Sequence, residues 1–334
     1  MNAPLPLRVA LVGAGAMGSL HARVLTHSQD TELRYVVDPA ARAGTLLAER
    51  YRSQWVADLE DFDGVDAVVV ASPTATHREW TLRAISAGKP VLVEKPIADR
   101  LDDTRAVIAA ARHAGVPLMC GLLERFNPAV RTALEIVDEP MHVVAVRHSP
   151  YVDRIVTGVG HDLLLHDVDI VLRLAGRLPN TIEAAYAYCH PKSTDGAEDI
   201  ADVTLRYDGL LAFLSASRVS QRKVRTLVIA ELERLIEVDL VRQDLTVYRH
   251  IADDAFEEDS SGYRQQTIID IPALRHPGEP LATQLDRFVA IARGHADAVA
   301  ELDSLLAPHL IVAAAEQASR ANRADSPARF VGNA

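Results

Sequence analysis

Residues 9–18 read Val-Ala-Leu-Val-Gly-Ala-Gly-Ala-Met-Gly, an apolar run that passes directly into a glycine-rich segment. The apolar run predicts a buried β-strand, and Met17, Leu20 and Val24 recur at the spacing of one face of a helix. A strand, a glycine-rich turn and a helix in this order are typical of the start of a doubly wound α/β domain. This stretch therefore predicts the fold class of the N-terminal part of the chain.

The glycines of this stretch form the pattern G-x-G-x-x-G, and each is expected to meet a different steric need. Gly13 permits a tight turn, Gly15 lets a pyrophosphate approach the backbone, and Gly18 allows the helix to pack closely on the strand. Ala16 and Met17 open the helix, whose first N–H groups can bind the anion. The pattern predicts a dinucleotide site; the alternative is a glycine turn in an α/β protein that binds no nucleotide.

Asp38 ends the second predicted strand, twenty residues after Gly18. A carboxylate at this position can accept hydrogen bonds from both ribose hydroxyls and repels a 2′-phosphate. The sequence therefore favours NAD over NADP, although Arg42 leaves NADP as an alternative cofactor.

Five short apolar runs in the first third of the chain alternate with amphipathic stretches, which predicts buried parallel strands covered by helices. The runs are Leu7–Val12, Leu33–Val37, Ala67–Val70, Pro90–Val93 and Pro117–Met119. We assign residues 1–122 to this dinucleotide-binding domain.

Beyond about residue 140 the apolar residues alternate with a period of two, and turns such as Tyr207-Asp208-Gly209 separate the runs. This pattern predicts an α+β domain over residues 123–300 with a large, mainly antiparallel open sheet. An open sheet face must be covered by a helix or by another subunit, so we expect a homodimer or homotetramer. The periodicity leaves open whether the helix within residues 300–334 packs back on the first domain. We interpret the acidic stretch Asp253–Gly262 as a solvated loop.

Glu94-Lys95-Pro96 follows the fourth predicted strand. The carboxyl ends of the strands form the ligand crevice of an open α/β sheet, so Lys95 is expected to face a cofactor or a substrate. The alternative is a local ion pair between Glu94 and Lys95.

Ser72-Pro73-Thr74, with His77 one turn later, follows the third predicted strand. By the same geometry these residues are expected to line the nicotinamide side of the crevice. The alternative is a loop in which Thr74 or Thr76 caps the next helix.

The segment from His161 to Arg173 has the spacing of a helix that places four polar side chains on one stripe. These are Asp162, His166, Asp169 and Arg173. The remaining faces are apolar, so we predict a largely buried helix whose stripe faces a ligand cavity or forms a salt-bridge network. A zinc site would need a third ligand, which the spacing does not provide, so we predict no metal.

Arg125 and Asn127 lie just past the fifth predicted strand. Both side chains are donors suited to an anionic or hydroxylated ligand, so we expect them to bind the substrate.

The composition narrows the classes of function. The chain has 334 residues, 49% of them apolar and 24% charged, which is enough for two packed domains. Its net charge of −11 has the wrong sign for nucleic acid or an anionic membrane, so we expect neither as a partner. Cys120 and Cys189 cannot form a disulfide framework, and the N-terminus does not read as a signal peptide. We therefore expect a cytoplasmic protein.

Four motifs together resemble the glucose-fructose oxidoreductase, inositol dehydrogenase and rhizopine-catabolism (Gfo/Idh/MocA) family. They are the glycine fingerprint, Ser72-Pro73-Thr74 with His77, Glu94-Lys95-Pro96, and the D-x-x-x-H pair Asp162 and His166. The resemblance implies an N-terminal Rossmann domain and a C-terminal sheet domain that binds a sugar or cyclitol and builds the oligomer. The glycine-rich segment that precedes the D-x-x-x-H helix in this family is reduced here to Gly158 and Gly160.

The resemblance implies a catalytic set of Lys95, Asp162 and His166. His166 would act as the base, Lys95 would hydrogen-bond the reacting oxygen or carry the proton itself, and Asp162 would orient the substrate or His166. The residues expected to bind the cofactor are Gly13, Gly15, Ala16, Met17, Asp38, Ser72, Pro73, Thr74, His77, Glu94, Lys95 and Pro96. Those expected to bind the substrate are Lys95, Arg125, Asn127, Asp162 and His166.

The implied activity is that of an NAD-dependent oxidoreductase that oxidises a secondary hydroxyl of a sugar or reduces the keto sugar. Within the family, the stretch Arg125-Phe126-Asn127-Pro128 most resembles that of the branch whose members oxidise C3 of nucleotide-linked N-acetylhexosamines. The resemblance therefore implies a nucleotide-linked or amino sugar as the substrate. The alternatives are an inositol or aminoglycoside dehydrogenase, an NAD-dependent glycosidase and a non-catalytic NAD-binding sensor.

Overall fold

The computed structural model describes residues 5–153, 157–193, 196–253 and 264–324, so most of the acidic stretch Asp253–Gly262 lies outside the described residues. Contacts divide the chain into two units. The first comprises Met1–Phe126 and Gly278–Leu310, and the second comprises Asn127–Pro277 and Ile311–Ala334. The sequence pattern assigned residues 123–300 to one domain, whereas residues 278–310 belong to the first unit here.

The first unit contains a six-stranded sheet in the order β3-β2-β1-β4-β5-β6, and every neighbouring pair is parallel. Its strands are β1 (Leu7–Val12), β2 (Thr31–Val37), β3 (Gln54–Val56), β4 (Ala67–Val70), β5 (Val91–Val93) and β6 (Leu118–Cys120). The helices in the first segment of this unit, which ends at Phe126, are α1 (Ala16–His27), α2 (Ala41–Arg50), α3 (Thr74–Ser86) and α4 (Leu101–Ala114). The predicted doubly wound fold is confirmed, and the sequence pattern missed only the three-residue strand β3 in this sheet.

The strand order of this sheet reverses between β1 and β4, which lie side by side. All four residues of β4 are buried, because helices cover both faces of a doubly wound sheet. Ligands bind such sheets beyond the carboxyl ends of the strands at the reversal point. The fold therefore gathers the residues that follow β1, β2, β4, β5 and β6 at one edge.

The second unit contains an eight-stranded sheet in the order β14-β13-β12-β11-β7-β10-β9-β8. Its strands are β7 (His142–His148), β8 (Thr181–Ala187), β9 (Ile200–Tyr207), β10 (Leu210–Ser217), β11 (Val224–Ala230), β12 (Leu235–Asp239), β13 (Asp244–Asp253) and β14 (Arg264–Asp270). All neighbouring pairs are antiparallel except β7 with β10, so the predicted mainly antiparallel sheet is confirmed.

The remaining helices are α5 (Pro128–Ile136), α6 (Leu165–Ala175), α7 (Pro280–Ala292), α8 (Ala298–Asp303) and α9 (Leu306–Ala324). Helices α5 and α6 pack on one face of the eight-stranded sheet. On β7 that face carries buried Val143 and Ala145, whereas Val144 and Val146 on the other face are partly exposed. Phe213 on β10 pairs with Val144 and is 38% exposed. One face of this sheet thus carries a group of apolar side chains that no helix covers among the described residues of the chain.

The stretch Ala298–Ala321 meets a length and composition criterion for a membrane-spanning helix, with a mean hydropathy of 1.5. It consists of α8 and most of α9, and 44% of its most apolar window is buried inside the protein. Core helices of soluble proteins meet the same criterion, so this stretch is weak evidence for a membrane segment.

Candidate active site

The glycine-rich turn after β1 has the geometry that its sequence predicts. Gly13 has a φ of +103°, and a Cβ there would lie 2.6 Å from the carbonyl oxygen of Ala71. A Cβ on Gly18 would overlap the carbonyl oxygen of Gly13, so helix and turn pack as close as glycine allows. Gly15 caps α1 without a side-chain hydrogen bond, and a Cβ on it would meet no atom within 4 Å. The open space at this helix N-terminus fits a phosphate group.

Asp38 follows β2 and lies against the same turn. Its Oδ2 accepts a hydrogen bond from the backbone N–H of Ala14 at 2.7 Å, and its Oδ1 accepts one from the N–H of Ala40 at 2.8 Å. Trp55 Nε1 donates to the Asp38 carbonyl oxygen at 2.9 Å. The carboxylate is partly exposed, so it remains accessible to a ribose beside the glycine turn.

Ser72 and Thr74 are partly exposed after β4, and Pro73 is exposed. Helix α3 begins at Thr74 without a side-chain cap, so the alternative in which a threonine caps this helix is not observed. Thr76 instead donates from Oγ1 to the carbonyl oxygen of Pro73 at 2.8 Å.

His77 has a role different from the predicted contact with a cofactor. Its ring is 1% exposed, with Nδ1 lying 2.8 Å from the carbonyl oxygen of Pro96 and Nε2 lying 2.8 Å from that of Ser72. Because both ring nitrogens are engaged by the backbone, His77 joins the loops that follow β4 and β5. We therefore assign the His77 side chain a structural role in place of the predicted contact with the cofactor.

Glu94 also faces the protein interior instead of a ligand. Its Oε1 lies 2.7 Å from Nε2 of His21, and its Oε2 accepts a 3.3 Å hydrogen bond from the N–H of Lys95. Burial raises the pKa of Glu94, but the hydrogen bond and charge of His21, together with the charge and the backbone N–H of Lys95, hold that pKa below its ordinary value. A Cβ on Gly121 would lie 2.5 Å from Oε2, so this carboxylate is packed tightly. Its assignment to the cofactor site is corrected accordingly.

His21 is a residue that sequence reasoning missed. It lies on the buried face of α1 together with Gly18, Ala22 and Leu25. A histidine among apolar and small residues on a buried helix face requires a polar partner, and this was the available signal. The partner, Glu94, is 73 residues away in the sequence.

Lys95 lies between two residues that hydrogen bonds hold in place, Glu94 and Pro96. Glu94 before it is held by His21, and the buried Pro96 after it is held through its carbonyl oxygen by His77. Lys95 itself is partly exposed at the strand-end edge. The backbone that carries its amine is therefore fixed on both sides, as a preorganised site requires.

Asp162 and His166 lie on a helical segment that is not a regular α-helix throughout. Gly160–Leu164 forms a π-helical turn, and α6 follows from Leu165. Both side chains are partly exposed. The wider turn changes the register expected for one straight stripe, which is a correction to the sequence prediction. Turns of this kind are frequent at functional sites.

The rest of the predicted stripe is structural. Asp169 is 3% exposed, and its Oδ2 lies 3.5 Å from Nε of Arg173. This pair is one part of the salt-bridge network that was the alternative interpretation. A second pair, which is buried on both sides, holds the helix to the sheet, because Arg147 on β7 donates from Nη2 to Oδ1 of Asp167 at 2.7 Å. Both side chains are at most 2% exposed.

Arg125 and Asn127 are not placed as substrate ligands. Arg125 is 8% exposed, and its Nη1 donates to Oε1 of Glu301 at 3.0 Å and to Oγ of Ser304 at 2.8 Å. Asn127 is 2% exposed and caps α5, with Oδ1 accepting from the N–H of Ala129 at 3.0 Å. Because protein partners already engage these buried groups, we leave both out of the substrate site.

Within the described ranges of the chain, no three His, Cys, Asp or Glu side chains come together as a metal site. The first unit offers the amine of Lys95, and the second unit offers the carboxylate of Asp162 and the imidazole of His166.

Two family models match the chain. One describes an oxidoreductase family with an NAD-binding Rossmann fold and matches residues 7–122; the other describes the GFO/IDH/MocA C-terminal domain and matches residues 142–235. An inositol 2-dehydrogenase from Rhizobium meliloti (strain 1021) is 28% identical over 335 residues, which cover 93% of this chain and 96% of the relative. A UDP-N-acetylglucosamine 3-dehydrogenase from Acidithiobacillus ferrooxidans is 29% identical over 245 residues, which cover 72% of this chain and 77% of the relative.

Two solved structures are similar to this chain over nearly its whole length. The structure of the UDP-N-acetylglucosamine 3-dehydrogenase GnnA from Acidithiobacillus ferrooxidans aligns with a TM-score of 0.77 at 26% identity, covering 95% of this chain and all of that one. GenD2 from gentamicin A biosynthesis, in complex with NAD, aligns with a TM-score of 0.76 at 25% identity, covering 97% of both chains.

Proposed function

The chain belongs to the Gfo/Idh/MocA oxidoreductase family, and from this premise we propose that it is an NAD-dependent dehydrogenase whose substrate is a nucleotide-linked or amino sugar. The observation that carries the substrate class is the similarity to a UDP-N-acetylglucosamine 3-dehydrogenase over 95% of the chain. An inositol is the second candidate substrate, because an inositol 2-dehydrogenase matches 93% of the chain.

In the proposed reaction the catalytic set is Lys95, Asp162 and His166. When bound, NAD supplies the hydride acceptor. His166 removes the hydroxyl proton, since an imidazole can act as a base near neutral pH. Lys95 donates a hydrogen bond to the reacting oxygen and stabilises the negative charge that develops there. Asp162 orients the substrate or His166.

The experiment that tests this function is a panel of NADH-formation assays at pH 8. The panel contains free sugars, inositols, aminoglycosides, UDP-hexoses and UDP-N-acetylhexosamines, each with NAD and with NADP. We expect the highest kcat/KM with a UDP-N-acetylhexosamine or an amino sugar and NAD. Turnover of inositols alone would select the second candidate.

Silence across that panel, with NAD binding confirmed by calorimetry, would contradict the dehydrogenase proposal. Release of nitrophenol from an aryl glycoside without net NADH would then identify an NAD-dependent glycosidase, because transient oxidation leaves the cofactor unchanged overall. Silence in both assays would favour the sensor.

We propose that Gly13, Gly15, Ala16, Met17 and Asp38 bind NAD. Replacement of Asp38 by alanine should raise the Kd for NAD about 10- to 100-fold, since hydrogen bonds to a charged group are worth about 1.5–3 kcal/mol. Asp38→Asn keeps an acceptor for the N–H of Ala14 but removes the charge, so it should mainly narrow the preference for NAD over NADP. Calorimetric titration with both cofactors measures the two effects.

Asp102→Ala is the matched control for this prediction. Asp102 lies in the first turn of α4 and pairs with Arg105 at 3.1 Å, so its loss should leave both Kd values unchanged. An unaltered NAD to NADP ratio in both Asp38 variants would contradict the assignment of Asp38 to the ribose.

We further propose a cytoplasmic homo-oligomer that associates through the uncovered face of the eight-stranded sheet, without nucleic-acid or membrane partners. The support is the apolar row of Val144, Val146 and Phe213 on that face. Phe213→Asp should shift the molar mass measured by light scattering toward the monomer, because association would bury the charge. Leu232→Asp, at a turn residue that is already 84% exposed, should not. A monomeric wild-type protein would contradict the proposal.

A further inference from the structure

Glu198 holds the start of the helical segment that carries Asp162 and His166. It lies just before β9 and is 6% exposed. Its Oε1 accepts a 2.6 Å hydrogen bond from the N–H of Gly160, and its backbone carbonyl accepts one from the N–H of Val159 at 3.1 Å. The first N–H groups of a helix have no partner within the helix. A single residue next to the sheet thus supplies partners for two of them.

The two glycines before this helix are explained by the same carboxyl group. A Cβ on Gly158 would overlap the carboxyl group of Glu198, and a Cβ on Gly160 would lie 2.8 Å from its Oε1. The N–H of Asp162 in turn donates to the carbonyl oxygen of Gly158 at 2.9 Å. The chain from Gly158 to Asp162 is therefore closed directly onto Glu198, and only glycine leaves room for this approach.

The segment before β9 that contains Glu198 is itself held by a network of hydrogen bonds. Arg218 donates from Nη2 to the carbonyl oxygen of Thr157 and from its backbone N–H to the carbonyl oxygen of Asp199 at 2.9 Å. Asp199 Oδ2 accepts from the N–H groups of Cys189 at 2.7 Å and His190 at 2.8 Å. Glu198 therefore lies on a fixed support from which it can set the position of a neighbouring loop.

The protonation tendency of Glu198 indicates which substitution preserves its role. Burial raises the pKa of Glu198, and the negative charge of Glu316 raises it further. The hydrogen bond from the N–H of Gly160 and the positive charge of Arg218 lower it, but less than burial raises it. Because burial disfavours the charged form, an uncharged glutamine is a close mimic that keeps an oxygen acceptor for Gly160.

We propose that Glu198 is a positioning residue that caps the D-x-x-x-H helix from the sheet and thereby sets the placement of Asp162 and His166. It acts through the main chain of Gly158–Asp162 and contacts neither substrate nor cofactor in this role. This inference rests on the proposed catalytic roles of Asp162 and His166.

The test compares Glu198→Ala with Glu198→Gln in the full chain, using hydrogen–deuterium exchange and steady-state kinetics. In Glu198→Ala we expect the amides of residues 159–162 to exchange at least about tenfold faster, because their hydrogen bonds open more often. We expect kcat to fall at least about tenfold through misplacement of the reacting groups, with an unchanged Kd for NAD. Glu198→Gln should keep both values within about threefold of wild type, as a rescued hydrogen bond requires.

Glu183→Ala is the matched control, because this glutamate on β8 has a side chain that is 69% exposed. Should Glu198→Ala fail to fold, Gly160→Ala provides the second variant, since it pushes a methyl group against the carboxyl group of an intact Glu198. It should reproduce the faster exchange and the lower kcat. Wild-type exchange and wild-type kcat in the folded variant, Glu198→Ala or Gly160→Ala, would overturn the inference.

Failure of the proposed function has a different signature. Full turnover in Asp162→Asn and His166→Asn would overturn the catalytic set, whereas the exchange rate of residues 159–162 reports on the cap without any substrate. Faster exchange in Glu198→Ala with the kcat of wild type would confine Glu198 to a structural role and overturn its positioning role.

Discussion

Replacement of Lys95 by methionine should lower kcat by about a thousandfold or more, while the Kd for NAD stays within about threefold of wild type. Methionine keeps the apolar stem and removes the amine, so the reacting oxygen loses both a hydrogen-bond donor and a positive charge. These interactions strengthen as charge develops, and their loss therefore appears in kcat and not in cofactor binding. Single-turnover kinetics with the substrate found in the panel, together with calorimetry for NAD, measure the two quantities.

Lys89→Met is the matched control for this prediction. Lys89 precedes β5 and Lys95 follows it closely, so the two lysines lie toward opposite ends of the same buried strand. Only the carboxyl end of a parallel strand faces the ligand crevice, so Lys89→Met should keep wild-type turnover. Turnover of Lys95→Met within tenfold of wild type would remove Lys95 from the mechanism.

Replacement of Asp167 by alanine should lower the free energy of unfolding by about 3–5 kcal/mol, because it leaves the guanidinium of Arg147 buried without its counter-ion. The pair is at most 2% exposed on both sides, and Arg147 Nε also donates to Oδ2 of Asp167 at 2.9 Å. The loss should appear as a lower denaturant midpoint for the unit that contains the eight-stranded sheet. Denaturation followed by circular dichroism measures it.

A double variant separates the value of this ion pair from the cost of an unpaired charge. Arg147→Met with Asp167→Leu removes both charges and should recover most of the lost stability, since apolar residues of similar volume can replace a buried pair. Glu183→Ala breaks an exposed pair with Arg206 at 3.9 Å and should cost less than about 1 kcal/mol. A single variant Asp167→Ala that is as stable as Glu183→Ala would contradict the prediction.

The sequence predicted those parts of the candidate site whose residues stand at fixed offsets from a predicted strand. Gly13, Gly18 and Asp38 stand at fixed offsets from a predicted strand, and the observed turn has the φ and the close packing that these offsets require. The assignments of His77 and Glu94 needed correction, because a strand-end position does not reveal whether a side chain points into the crevice or back into the protein. The observed partners are a pair of carbonyl oxygens for His77 and His21 for Glu94.

The sequence by itself determined the two sheet classes, the alternation of strands and helices in the first domain and the family, because a period of two, buried apolar runs and glycine offsets are properties of neighbouring residues. Only the tertiary structure decided which polar groups support the site. The partners in these pairs are far apart in the chain: 73 residues separate His21 from Glu94, 38 separate Gly160 from Glu198, and 176 separate Arg125 from Glu301. A buried polar group requires a partner, but its sequence neighbourhood does not say which distant residue folding brings within hydrogen-bond distance.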